Sequence, residues 1–87
     1  MPGGSKSVYR NPVVQHRRDP VLSRFGRRMQ QLRQERGWSQ DQLAEKMDVH
    51  RPYLSGIESG ARNPSLLTIA AIAKALRVDL TELFREP

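Results

Sequence analysis

Cysteine is absent from the 87-residue sequence, and histidine occurs only at His16 and His50. Without thiols the chain forms no disulfide and no thiolate-bound zinc site. The two imidazoles are far apart along the chain and have no neighbour at metal-ligand spacing. A nucleophile–base pair, a carboxylate pair and a phosphate-binding glycine loop are missing as well, so the sequence predicts a protein that is not an enzyme and needs no cofactor.

Long apolar runs are also missing. No stretch approaches the roughly 20 residues that cross a bilayer, and no signal-peptide core is recognisable. These absences predict a soluble cytoplasmic protein without a membrane partner. Because the sequence stops three residues after Phe84, we expect no ligand-sensing domain, and regulation would depend on protein concentration, partner proteins or competing sites.

Acidic residues are scarce at the start of the chain. Residues 1–37 contain nine Lys or Arg and two acidic residues, whereas residues 38–87 contain six basic and seven acidic residues, for a net charge of +6. This uneven distribution favours a charged surface for a polyanionic partner. A solvated tail and helix face would produce the same composition, so charge alone does not decide between the two.

Residues 21–87 have the apolar spacing of helices and no strand pattern. Five short helices are predicted to begin near Val21, Ser39, His50, Ser65 and Asp79. The inward face of the fourth helix is predicted to comprise Leu66, Ile69, Ala70, Ala73 and Leu76. The sequence therefore predicts a single all-α domain of five helices.

Two of these helix starts carry a capping-box pattern. In this pattern a polar side chain and the side chain three residues later cap each other's backbone amides. The pairs are Ser39 with Gln42 and Asp79 with Glu82. Because the first turn of a helix leaves its N–H groups unpaired, each pair is expected to fix a helix start.

Residues 40–59 fit two helices joined by a tight turn. Ala44 is small where the following helix would cross closely, and Asp48 occupies a turn position that requires tolerance of positive φ. Apolar residues such as Leu43 and Leu54 would lock the two helices at a fixed angle. That angle leaves the start of the second helix projecting, in a shape that enters a DNA major groove.

These features resemble the lambda repressor/Cro-type (XRE) helix-turn-helix family. The resemblance covers Leu22 to Phe84 and is carried by FGRRMQQLRQERGWSQDQLAEKM, VHRPYLSGIESG and RNPSLLTIAAIAKALRVDLTELF. Within the family, HRPYLSGIESGARNPSL is most similar to the controller proteins of restriction–modification systems. Asp48 replaces the family's usual glycine and His50 its usual Ser or Thr. The resemblance implies a bacterial or phage DNA-binding regulator with a lambda-repressor-like fold.

The start of the third predicted helix carries the expected base contacts. Arg51 can donate two hydrogen bonds to O6 and N7 of guanine, and the family places a base reader at this position. Tyr53 can stack, touch a thymine methyl or reach a phosphate, or it can be partly buried against the scaffold. Pro52 offers apolar contact, Ser55 can bond a base or a phosphate, and Gly56 has no side chain for readout.

Phosphate contacts are expected around these residues, for Gln40 because it opens the second helix, whose N-terminus favours anions. The candidates are Ser39, Gln40, His50, Ser59, Arg62 and Asn63. His50 could instead cap the third helix. The resemblance implies that Gln40 also braces Arg51.

Residues 1–20 have the composition of a flexible basic arm. They contain three prolines, together with Gly and Ser, and show no helical periodicity, so they cannot bury a core. Arg10, Arg17 and Arg18 could follow a minor groove or phosphates, or the arm could be disordered. The sequence leaves both alternatives open.

The resemblance also implies a salt bridge and a dimer. Arg33 and Glu58 would pair between the first and third helices, while most of the other arginines of the first helix would be solvated. A homodimer would form through Leu80, Leu83 and Phe84, because the last helix is too short to bury both of its faces. Two-fold symmetry would then place two recognition helices about one DNA turn apart on a palindromic site.

Two functional hypotheses follow. The first is a homodimeric transcription factor that binds double-stranded DNA, with RNA polymerase as a further candidate partner. The second is an antitoxin or coactivator-type adaptor that uses the same fold mainly to hold another protein. A preference for one palindromic duplex over random DNA would favour the first hypothesis, and co-purification of a stoichiometric partner would favour the second.

Overall fold

The computed structural model describes residues 19–87 as an all-helical domain without strands in that range. The helices are α1 (Pro20–Glu35), α2 (Gln40–Met47), α3 (Arg51–Ser59), α4 (Leu66–Leu76) and α5 (Leu80–Leu83). The predicted fold class is confirmed. Predictions for the arm, including Arg10, Arg17 and Arg18, fall outside the described residues. Within the described part, none of the helices is long and apolar enough to cross a membrane.

Helix starts follow from capping side chains. Asp19 accepts a hydrogen bond of 2.9 Å from the backbone N–H of Val21, so α1 begins at Pro20, one residue before the predicted domain boundary. At α2 the capping box of Ser39 and Gln42 is confirmed, with bonds of 3.1 and 2.8 Å in its two directions. At α3, His50 is the N-cap residue with extended backbone geometry, but its side chain makes no capping bond.

The second capping box forms only in part. Asp79 accepts from the backbone N–H of Glu82 at 3.1 Å, but its other partner is the hydroxyl of Thr81, which donates at 2.6 Å. These two hydrogen bonds, that from Thr81 foremost, lower the pKa of Asp79. The side chain of Glu82, expected to return to Asp79, instead reaches Arg28 on α1.

The turn between α2 and α3 has the predicted left-handed residue. Asp48 adopts φ 58° and ψ 48°, a conformation that Asp and Asn tolerate better than most residues. Its backbone N–H bonds the carbonyl of Glu45 at 3.1 Å, and the N–H of Val49 bonds that of Ala44 at 3.0 Å. The turn closes α2 in this way and directs the chain into α3.

The core lies where all five helices meet. Its fully buried large side chains are Met29, Leu43, Leu54, Ile57, Ile72, Leu76 and Leu83. Two predictions are corrected here. Leu66 and Ala70 were expected to face inward, but both are exposed. Leu83 was expected at a dimer surface, but it is fully buried within its own chain and cannot contact a second subunit.

Gly26 sets the distance between α1 and α3. A Cβ atom at this position would lie 2.3 Å from the carbonyl oxygen of Glu58 and 2.6 Å from that of Ile57. Both obstacles are backbone atoms, which cannot turn aside as a side chain can. The two helices therefore approach as closely as they do because residue 26 has no side chain.

Arg33 and Glu58 form a buried ion pair between α1 and α3. Arg33 Nε lies 2.7 Å from Glu58 Oε2, and Nη2 lies 3.0 Å from Oε1. Arg33 Nη1 also donates to the carbonyl oxygen of Trp38 at 2.7 Å, and Gln40 Nε2 donates to Glu58 Oε1 at 3.0 Å. This Arg33–Glu58–Gln40 network ties α1, α2 and α3 together with its donors and acceptors paired.

A second arginine of α1, Arg28, is buried, whereas Arg24 and Arg27 are exposed, as expected for most of the other arginines of this helix. Arg28 Nε donates to the backbone carbonyl of Glu82 at 2.9 Å, and Nη2 lies 3.0 Å from Glu82 Oε1. Its Nη1 donates to Gln31 at 3.0 Å. Arg28 thus fastens the short helix α5 to the long helix α1.

Replacing Gly26 with alanine should lower the free energy of unfolding by about 2 kcal/mol or more, because the new Cβ must push two backbones apart. The matched control is Gly56→Ala, whose Cβ would meet only the side chain of Arg62. That control should leave stability unchanged or raise it, since alanine favours a helix by up to about 1 kcal/mol. Urea unfolding measures both, and equal effects of the two substitutions would contradict the close approach at Gly26.

Replacing Glu58 with glutamine should lower the free energy of unfolding by about 3 kcal/mol, because Arg33 would keep a buried charge without its counterion. Glu86→Gln is the control, since Glu86 pairs with Arg24 at an exposed site, where an ion pair contributes at most about 1 kcal/mol. Thermal or urea unfolding provides the comparison. A Glu58→Gln protein as stable as the Glu86→Gln protein would contradict the role of the buried pair.

Candidate nucleic-acid interface

The outer face of α3 is the candidate interface. Leu54, Ile57 and Glu58 point into the domain and are buried, which fixes the orientation of the helix. Arg51 and Pro52, at the start of α3, are consequently exposed. A short helix anchored by its inner face and exposed at its N-terminal end has the geometry that enters a major groove.

Arg51 contacts α2 by an ion pair. Its Nε lies 3.4 Å from Oδ1 of Asp41, and half of the Arg51 side chain remains exposed. The expectation that Gln40 braces Arg51 is not met in this structure, because Gln40 donates to Glu58 instead. Sequence reasoning missed Asp41. The available signal was a carboxylate in the first turn of α2, one residue after the expected brace.

Tyr53 and Arg62 lie against each other beside α3. Tyr53 is half-buried and packs on the core, the alternative that the sequence had left open. The guanidinium carbon of Arg62 lies 5.7 Å from the centre of the Tyr53 ring, within the range of a cation–π contact. A Cβ at residue 56 would lie 2.7 Å from Cγ of Arg62. Gly56 therefore gives Arg62 room to lie along the helix.

The remaining candidates surround this face. Exposed positions among them are Ser39, His50, Ser59, Arg62 and Asn63, whereas Gln40 and Ser55 are half-buried. The hydroxyl of Ser59 donates to the carbonyl of Gly56 at 3.1 Å. Positive side chains on this face come from Arg51 and Arg62, and the facing negative one from Asp41. The surface is cationic but not uniformly so.

Within 19–87 no group of three or more His, Asp or Glu side chains is placed to hold a metal ion. The polar side chains of α3 supply a guanidinium, a phenol and hydroxyls. These groups donate hydrogen bonds, and they suit base edges and phosphates.

Comparison with known proteins identifies the fold and its relatives. The helix-turn-helix family profile matches residues 29–83. The control protein C.MunI of a Mycoplasma species is 41% identical over 67 residues, which cover 76% of this chain and 90% of that protein. The restriction–modification controller protein C.AhdI from Aeromonas hydrophila superimposes with a TM-score of 0.74 at 41% identity, over 76% of this chain and all of that one.

A third relative was solved with its ligand. The biofilm regulator SinR, in a crystal structure with DNA, matches with a TM-score of 0.65 and 37% identity, over 70% of this chain and 98% of that one. The resemblance to XRE-type regulators and to restriction–modification controllers is thereby confirmed. By its profile match, its relatives and its fold, the chain belongs to the helix-turn-helix family of DNA-binding transcriptional regulators.

Proposed function

We propose that the protein is a transcriptional regulator that binds a palindromic DNA site as a homodimer, in the manner of a restriction–modification controller. The observation that carries the proposal is the exposed N-terminal end of α3, with Arg51 presented from a buried scaffold. The relationship to control proteins and to a regulator solved with DNA supports it. Such a protein acts by occupying DNA.

In the proposed complex α3 lies in the major groove. Arg51 donates to O6 and N7 of a guanine, the commonest specific contact of this kind. Pro52 and Ser55 face neighbouring base edges, and Tyr53 contributes its ring and hydroxyl from a half-buried position. Gly56 has no side chain to read a base, and the side chain of Arg62 lies over it. DNA shape would therefore supply further specificity.

Phosphates flank this contact in the proposed complex. The start of α2 and the loop after α3 supply the donors, which are Ser39, Gln40, His50, Ser59, Arg62 and Asn63. Contacts of this type fix the position of the protein on the duplex without reading sequence. They would also make the affinity fall steeply with salt concentration.

Replacing Arg51 with alanine should cost about 1–3 kcal/mol of discrimination at one base pair per half-site. The preferred site is first selected from random duplexes, and affinities are then measured for that site and its single-pair variants. Arg27→Ala removes an exposed positive charge from α1 and is the control, which should weaken binding to all duplexes alike. An Arg51→Ala protein that ranks the duplexes as the unmodified protein does would contradict base reading by Arg51.

The proposed dimer surface is revised by the structure. With Leu83 in the core, the exposed apolar residues near the predicted surface include Leu80 and Phe84, which are 41% and 56% exposed. On α4, Leu66 and Leu67 are 70% and 83% exposed. Apolar area of this kind marks interfaces in soluble proteins. In a two-fold dimer that includes α4, the same residues of both subunits would contact each other across the symmetry axis.

Leu67→Glu should weaken self-association at least tenfold, which corresponds to about 1.4 kcal/mol. The introduced carboxylates would be desolvated against apolar surface. Gln34→Glu is the control, because it adds the same carboxylate at an exposed position of α1. Sedimentation equilibrium measures the association constant. A Leu67→Glu protein that dimerises as well as the control would exclude α4 from the interface.

A further inference from the structure

An ion pair crosses the helix-turn-helix at the surface proposed to meet DNA. It joins Arg51, the first residue of α3, to Asp41 in the first turn of α2. The side chains of Arg51 and Asp41 are 50% and 79% exposed, so DNA can reach both. Within residues 19–87 no second ion-pair partner of Arg51 is present.

The contact engages one side of the guanidinium group. Asp41 lies 3.4 Å from Nε of Arg51, and both Nη groups remain available to donate. Guanine recognition needs two donors held in one plane, and the rigid guanidinium provides them once its rotation is restricted. The charge attraction of a carboxylate beside Nε favours the side-chain rotamers that keep the guanidinium there.

Gln40, the residue expected to brace Arg51, makes its hydrogen bond to a different residue. Its amide donates to Glu58, and the carboxylate of Glu58 is itself held by Arg33. Glu58 is buried, so releasing Gln40 would remove one hydrogen bond from a desolvated carboxylate. In this structure the contact to Arg51 comes from Asp41 instead.

Asp41 also lowers the affinity of the protein for DNA. It lies beside Ser39 and Gln40 in the sequence, where phosphate contacts are proposed. A carboxylate within about 10 Å of phosphates repels them at ordinary salt concentrations. This repulsion acts in every complex, whereas the restraint of Arg51 helps only where Arg51 meets a guanine.

Building on the proposed DNA-binding function, we infer that Asp41 is a positioning residue for Arg51 that determines specificity. It holds the guanidinium in a geometry suited to guanine, whereas its repulsion of phosphates lowers the affinity for every duplex alike. Discrimination between specific and random duplexes therefore comes from the restraint of Arg51.

The test measures affinities of Asp41→Ala for three duplexes. These are the selected site, the same site with the Arg51-dependent G·C pair replaced by A·T, and a random duplex. Discrimination between the first two should fall about threefold, the factor that an exposed ion pair supplies. Affinity for the random duplex should rise about twofold as one repulsive charge is lost. Asp41→Glu restores a carboxylate and should recover most of the discrimination.

Glu45→Ala is the matched control, because Glu45 is an exposed carboxylate one turn further along α2 and has no ion pair among the described residues. It should raise affinity for random DNA similarly and leave discrimination unchanged. In an Arg51→Ala background, Asp41→Ala should no longer alter discrimination. The inference would be overturned, and the proposed function would stand, if Asp41→Ala discriminated between duplexes as well as the unmodified protein. The same holds if Glu45→Ala lost as much discrimination as Asp41→Ala. An unmodified protein that prefers no duplex would overturn the proposed function as well.

Discussion

The buried pair of Arg33 and Glu58 is the constraint on which the presentation of α3 depends. Two charges removed from water are tolerable only if both are fully hydrogen-bonded, and here each is bonded to the other and to a further partner. Those partners belong to α1, α2 and α3, and Gly26 lets α1 and α3 come close enough for the pair to form. The orientation of α3 is therefore fixed by directional bonds as well as by apolar packing.

The exposed side of α3 is organised by weaker contacts. Arg51 meets Asp41 at its start, and Arg62 lies over Gly56 against Tyr53 further along. Both guanidinium groups are restrained yet exposed, which reduces the conformational entropy that binding would otherwise remove. The side chains of the proposed DNA surface are thus largely in place before DNA binds. The family relationship identifies the scaffold that holds them as that of a transcriptional regulator.

The sequence was sufficient to predict the five helices, the capping box at Ser39 and the left-handed turn at Asp48, because these depend on neighbours close along the chain. It was insufficient for Arg28, Leu83 and Gln40, whose surroundings come from other helices. Periodicity indicates which face of a helix is apolar, but it does not indicate which partner covers that face. The guanidinium of Arg28 is buried because acceptors on α5, distant in the sequence, bond it. The residues near Arg28 in the sequence do not indicate those acceptors.

The central claim is that Arg51 reads a guanine from the major groove, and a change in the DNA tests it most directly. In the selected site, guanines are replaced one at a time by 7-deazaguanine, which lacks the N7 acceptor, or by inosine, which lacks the minor-groove amino group. We predict that 7-deazaguanine weakens binding about threefold to tenfold at one position per half-site, because it removes one of the two acceptors of a bidentate contact worth about 1–3 kcal/mol, and that inosine has little effect there. Affinity that is indifferent to 7-deazaguanine at every position but lost with inosine would contradict the account.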